Sequence, residues 1–86
     1  MDNSAALLLK CCDHIEHKTL GYGQGLYALL NSRNKSVLAK LDVLTDLLVR
    51  TREYIFLGLY TQARRVIAIM QVLSDQAIRE IKNLSS

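Results

Sequence analysis

Apolar residues recur at three- and four-residue steps along almost the whole of this 86-residue chain. That spacing is the period of an α-helix with one buried face. Asn3 and Ser4 offer caps for a first helix. Ala5, Leu8, Cys12, Ile15, Thr19, Tyr22, Leu26 and Leu29 then follow in phase, which predicts one helix over about 4–31. The stretch "NSRNKS", Asn31 to Ser36, is the clearest turn signal. A second helix, capped by Ser36, is expected over about 36–57, with Val37, Leu41, Leu44, Leu48 and Ile55 on one face. Gly58 closes it as a C-terminal glycine cap. A third is expected over about 60–84 on Ala63, Val66, Met70, Leu73, Ala77, Ile81 and Leu84, broadened by Ile67 and Ile69. Both connections are short, so neighbouring helices should be antiparallel. The expected fold is all-α: a small antiparallel three-helix bundle in a single domain, or four helices if the Gly21–Gly25 stretch breaks the first.

The second helix is apolar over an unusually wide arc. Leu38, Val49 and Phe56 flank its core stripe on one side, and Val43, Leu47 and Tyr54 on the other. Asp42, Asp46, Arg50 and Glu53 leave a polar strip over only about a third of the circumference. Composition points the same way. Half of the residues are hydrophobic, whereas a domain this small buries only about 60–65% of the surface that its unfolded chain exposes. The six flanking residues are therefore expected to reach a further molecule, either a second copy or a helical segment of another protein. This predicts a small helical interaction module, acting as chaperone, adaptor or inhibitor and forming a homo- or hetero-oligomer.

Three of the four glycines crowd into "LGYGQGL", Leu20 to Leu26. A phosphate cradle requires glycines that follow a strand and open a helix; here helix precedes them. Gly21 and Gly25, four apart, share one helical face and form a strip where a second backbone can approach. The other reading is a soft joint.

Charge adds one rival. The net charge is +3, from eleven basic and eight acidic residues. Arg50, Arg52, Arg64 and Arg65 gather near the corner between the second and third helices, where they offer anion or nucleic-acid contacts. A dimeric nucleic-acid-binding regulator is the alternative function, although helices of this length differ from a DNA-reading helix-turn-helix. The run "CCDHIEH" sets Cys11, Cys12, Asp13, His14, Glu16 and His17 together. A closed zinc site requires four converging ligands, but the cysteines lean toward the core and the histidines away from it. No metal or cofactor is expected. The acidic residues are dispersed and no hydrolase motif occurs, so no catalytic residue is assigned and the chain is not read as an enzyme.

Two short segments resemble known families. "HIEHKTLGYGQGLYALL" resembles the phospho-accepting helix of sensor histidine kinases through His14, Leu20, Gly25, Leu29 and Leu30. Ile15 stands where that family has an acidic residue, and Thr19 where it has proline. The resemblance implies histidine phosphotransfer as a remote alternative. "EYIFLGLYTQARRVI" is similar to the helix-turn-helix of tetratricopeptide repeats through Tyr54, Gly58, Tyr60, Ala63 and Ile67. One such unit does not build a solenoid, and the same residues suit any tight antiparallel helix pair.

Adjacent Cys11 and Cys12 have no intramolecular partner, and free thiols fit a reducing compartment. The start is acidic with no cleavage signal, and the longest apolar run, Tyr54 to Tyr60, is too short to span a bilayer. A soluble, cytoplasmic protein with no membrane partner is expected.

Overall fold

The computed structural model describes residues 3–21 and 35–85. Among these, three α-helices pack against one another and no strand occurs. Helix α1 is Asn3–Ile15, and it continues into a π-helical segment, Glu16–Gly21. Helices α2 and α3 are Lys35–Phe56 and Tyr60–Ser85. The principal-axis extents are 46 × 17 × 16 Å.

Side-chain pairings fix the directions. Lys40 of α2 pairs with Glu80 of α3, and Gly58 reverses the chain between them, so α2 and α3 are antiparallel. Arg52 reaches Asp13 and Glu16. In the register that Lys40–Glu80 sets, Arg52 lies level with about residue 68 of α3. Asp13 and Glu16 therefore sit near that level while Lys18 and Thr19 sit beside Asp75 and Ser74, so α1 climbs with α3 and against α2. The bundle is up-down-up.

The core follows the stripes. Leu8, Cys12 and Ile15 of α1 join Leu44, Leu48 and Ile55 of α2 and Ala63, Ile67 and Met70 of α3 in one buried cluster. A second cluster, Val37, Leu41, Ala77 and Ile81, lies toward the other end of the α2–α3 pair. Each fully buried aliphatic side chain adds about 1.5–3 kcal/mol over its exposed state. Three polar side chains share the interior. Thr19 and Ser74 satisfy each other, and Thr51 Oγ1 donates to the Leu47 carbonyl at 2.7 Å. No buried side-chain N or O among the described residues lacks a partner, as the cost of burying polar groups demands.

Three local features differ from the sequence reading. Regular α-helix stops at Ile15 rather than running on, because the hydrogen-bond ladder widens over Glu16–Gly21. β-Branched Thr19 and Gly21 weaken the α preference there. The rest of the predicted first helix, with the "NSRNKS" turn up to its fourth residue, lies outside the described residues. Ser36 falls within the first turn of α2, which begins at Lys35. Its hydroxyl donates to Glu80 at 3.4 Å and accepts from Lys40 at 3.1 Å. Ile69, placed with the core stripe of α3, is instead exposed on the flank.

The α2–α3 corner is built as its glycine predicts. Gly58 has φ 79°, a left-handed conformation that strains any other residue. Gly58 N–H donates to the Ile55 carbonyl at 3.0 Å, and Leu59 N–H to the Tyr54 carbonyl at 2.8 Å. This nested pair is the Schellman closure of a helix end.

Candidate interaction surfaces

Ion pairs lock the helix order and decide which charges stay available. Arg52 on α2 donates to Asp13 at 2.9 Å and to both Glu16 carboxylate oxygens at 3.2 and 3.3 Å. A planar guanidinium suits such a fork better than an ammonium. The hydrogen bond to Glu16 lifts its pKa above the ordinary arginine value; burial opposes this, and the bond to Asp13 adds to it. Lys18 pairs with Asp75 at 2.9 Å and holds that carboxyl below its ordinary range, chiefly by hydrogen bonding and then by charge. Lys40 and Glu80 meet at 2.6 Å across α2 and α3.

These pairs divide the arginine corner. Arg52 is occupied within the monomer, and Arg50 leans on Asp46 at 3.5 Å one turn away. Arg64 and Arg65 are exposed on the first turns of α3. The four arginines named from the sequence therefore do not form one patch of open charge.

The apolar flanks of α2 are also divided. Val43 is 47% exposed, Val49 53%, Leu38 45% and Phe56 90%. Leu47 and Tyr54 are half-buried and pack against the core, so the monomer covers much of these two itself. The register set by Lys40 and Glu80 brings Leu47 level with Leu73 and Tyr54 level with Val66. Leu73 and Val66 are likewise half-buried. Beyond this seam, on α3, Ile69 is 54% and Val72 57% exposed. Sequence reasoning put Ile69 inside and gave Val72 no place. Their register against α2, which the α3 stripe alone does not contain, is what exposes them. Along the opposite flank of α2, a shallow depression of about 470 Å³ is lined, among the described residues, by Val49, Arg52, Glu53, Phe56 and Leu57.

Gly21 is exposed at the end of the π-helical segment, and a Cβ added there meets nothing within 4 Å. Nothing among the described residues requires its small size. Gly25, its partner on the predicted face, lies outside the described residues.

The polar residues of the "CCDHIEH" run separate as their helix phase dictates. Cys12 is buried, Cys11 half-buried, and His14 and His17 are exposed. Burial pushes the Cys12 thiol above its ordinary pKa, with nearby Arg52 pulling the other way. Among the described residues no group of three His, Cys, Asp or Glu side chains stands close enough to hold a metal ion. His14 instead borders a polar recess of about 230 Å³ with Ile15, Lys18, Gln71, Ser74 and Asp75. The phosphotransfer resemblance requires an exposed histidine, which His14 is; two of its other positions, Gly25 and the Leu29–Leu30 pair, lie outside the described residues.

No described helix is long and apolar enough to cross a membrane. Comparison with known proteins found no matching family model, no matching curated protein and no matching solved structure.

Proposed function

We propose that the protein is a small helical interaction module that buries an amphipathic helix, from a second copy or another protein, along the α2–α3 seam. One observation carries this reading. Val43, Ile69 and Val72 stand half in water around a floor of half-buried Leu47, Tyr54, Val66 and Leu73. A continuous apolar strip of that kind on a small domain marks a contact surface, and a helix laid into it meets anchors at helical spacing. Asp46, Arg50, Arg65 and Gln76 supply a polar rim, the usual border of such a contact.

The nucleic-acid alternative is less well supported, because Arg52 is spent on Asp13 and Glu16 and Arg50 leans on Asp46. Light scattering of the purified chain across a concentration series, followed by affinity capture, tests the proposal. Salt-tolerant association that Val43→Asp abolishes supports it. A monomer at every concentration that captures no partner through the seam refutes it.

A further inference from the structure

The end of the bundle where α2 turns into α3 carries a second exposed apolar feature, separate from the seam. Phe56 is 90% exposed, and Leu57 and Leu59 stand beside it on either side of Gly58. The left-handed Gly58 reverses the chain there, which sets these side chains at the tip of the bundle; Phe56 and Leu57 also border the shallow depression on the flank of α2. Three backbone amides at the tip are already paired. Leu57 N–H donates to the Glu53 carbonyl at 3.0 Å, and Gly58 and Leu59 N–H are bound in the Schellman closure. These amides can therefore leave water without becoming bare donors, the condition that an apolar medium imposes.

Cations ring the point. Arg64 and Arg65 lie four and five residues into α3, about 6–8 Å behind the corner at 1.5 Å per residue. The parallel register of α1 and α3, which the Arg52, Lys40–Glu80 and Lys18–Asp75 pairs set together, brings exposed Lys10 to the same level. Of the carboxylates at this end among the described residues, Asp13 and Glu16 are exposed in part but paired with Arg52, and Glu53 is exposed. Exposed Leu7 and Leu9 of α1 lie at this end as well. Half-buried Tyr54 and Tyr60 flank the corner, and tyrosine favours the level of lipid headgroups.

We propose that this end of the bundle docks on an anionic lipid surface, with Phe56, Leu57 and Leu59 entering the acyl boundary while Lys10, Arg64 and Arg65 meet the headgroup phosphates. Peripheral apolar surfaces sink about 5–10 Å into that boundary, the depth at which the cations here are set. The neighbouring cations favour lipid as the occupant: Lys10, Arg64 and Arg65 are exposed beside the apolar tip, where anionic headgroups attract basic side chains. The expectation of no membrane partner rested on spanning length, which headgroup-level docking does not require. The inference shares Arg65 and Tyr54 with the seam but does not depend on the seam's role.

Sedimentation of the full chain with vesicles tests this, comparing phosphatidylcholine alone with phosphatidylcholine mixed with phosphatidylserine. The chain has no tryptophan, so Phe56→Trp places a single emission reporter at the point without touching the core. Binding is expected to the mixed vesicles, with a blue shift of that emission. The double variant Phe56→Ser with Leu57→Ser should weaken binding about tenfold or more. Arg64→Gln with Arg65→Gln should cost about fivefold per charge. Val43→Asp on the seam should leave vesicle binding unchanged. The proposal is overturned if mixed vesicles bring down no protein, or if the serine variant binds equally well. It is also overturned if that variant dissolves an oligomer in lipid-free solution, which would make the point a protein contact.

Discussion

Thr19 of the π-helical segment and Ser74 of α3 share a hydrogen bond between fully buried hydroxyls. The pair ties the widened turn to the longest helix inside the apolar core. Removing one partner leaves a buried hydroxyl unsatisfied, which costs about 1–3 kcal/mol, whereas replacing both with apolar groups is much cheaper. Thr19→Val and Ser74→Ala should each lower stability by that amount in urea unfolding. The double variant should lose less than the sum. Strict additivity would show that the two hydroxyls do not depend on each other.

Arg52 should act as the clasp between α1 and α2. Its side chain is one-third exposed and its carboxylate partners are more so, so the pairs are screened and the loss in Arg52→Met should be about 1 kcal/mol. The difference from the parent should shrink as salt is added. An Arg52→Lys variant should recover only part of it, because an ammonium cannot fork to two carboxylates. Chemical denaturation at low and high ionic strength measures all three.

The Lys18–Asp75 pair makes a pH prediction of known sign. Asp75 is held below its ordinary range in the folded state, so the pair's contribution is present above the unfolded carboxyl's pKa. It fades as pH falls through the lower folded value. An NMR titration should place Asp75 below an ordinary aspartate, and Lys18→Gln should return it there. An unchanged midpoint in Lys18→Gln would assign the shift to something other than Lys18.

The two cysteines should differ sharply in reactivity despite being neighbours. Cys12 is buried with a raised pKa, so little thiolate forms and access is blocked. Cys11 is only half-buried. A disulfide reagent added to the native protein should modify Cys11 first, with Cys12 following at the rate of unfolding. Mass spectrometry of the early product identifies the labelled site.

If the α2–α3 seam is the contact surface, Val43→Asp and Ile69→Asp should each weaken association about tenfold or more. Neither should change monomer stability by much beyond about 0.5 kcal/mol, since both side chains are half in water already. Leu47→Asp should behave differently and unfold the monomer as well, because Leu47 packs on the core. Comparing helical circular dichroism with association for the three variants separates the two effects.

What the sequence determined by itself is what depends on residues close along the chain. The three- and four-step stripes placed Leu8, Cys12, Ile15, Leu44, Leu48, Ala63 and Met70 inside, where the structure buries them. Gly58 marked the corner because a helix reversal requires a left-handed residue. Tertiary structure alone decided which flank of each stripe meets a neighbour. It turned Arg52 to Asp13 and Glu16, joined Thr19 to Ser74, half-covered Leu47 and Tyr54, and left Val43, Ile69 and Val72 in water. Periodicity gives the angle of a side chain around its own helix axis. The direction and register of the adjoining helix, set by contacts between residues 36 to 57 positions apart, decide whether that angle points at protein or at solvent.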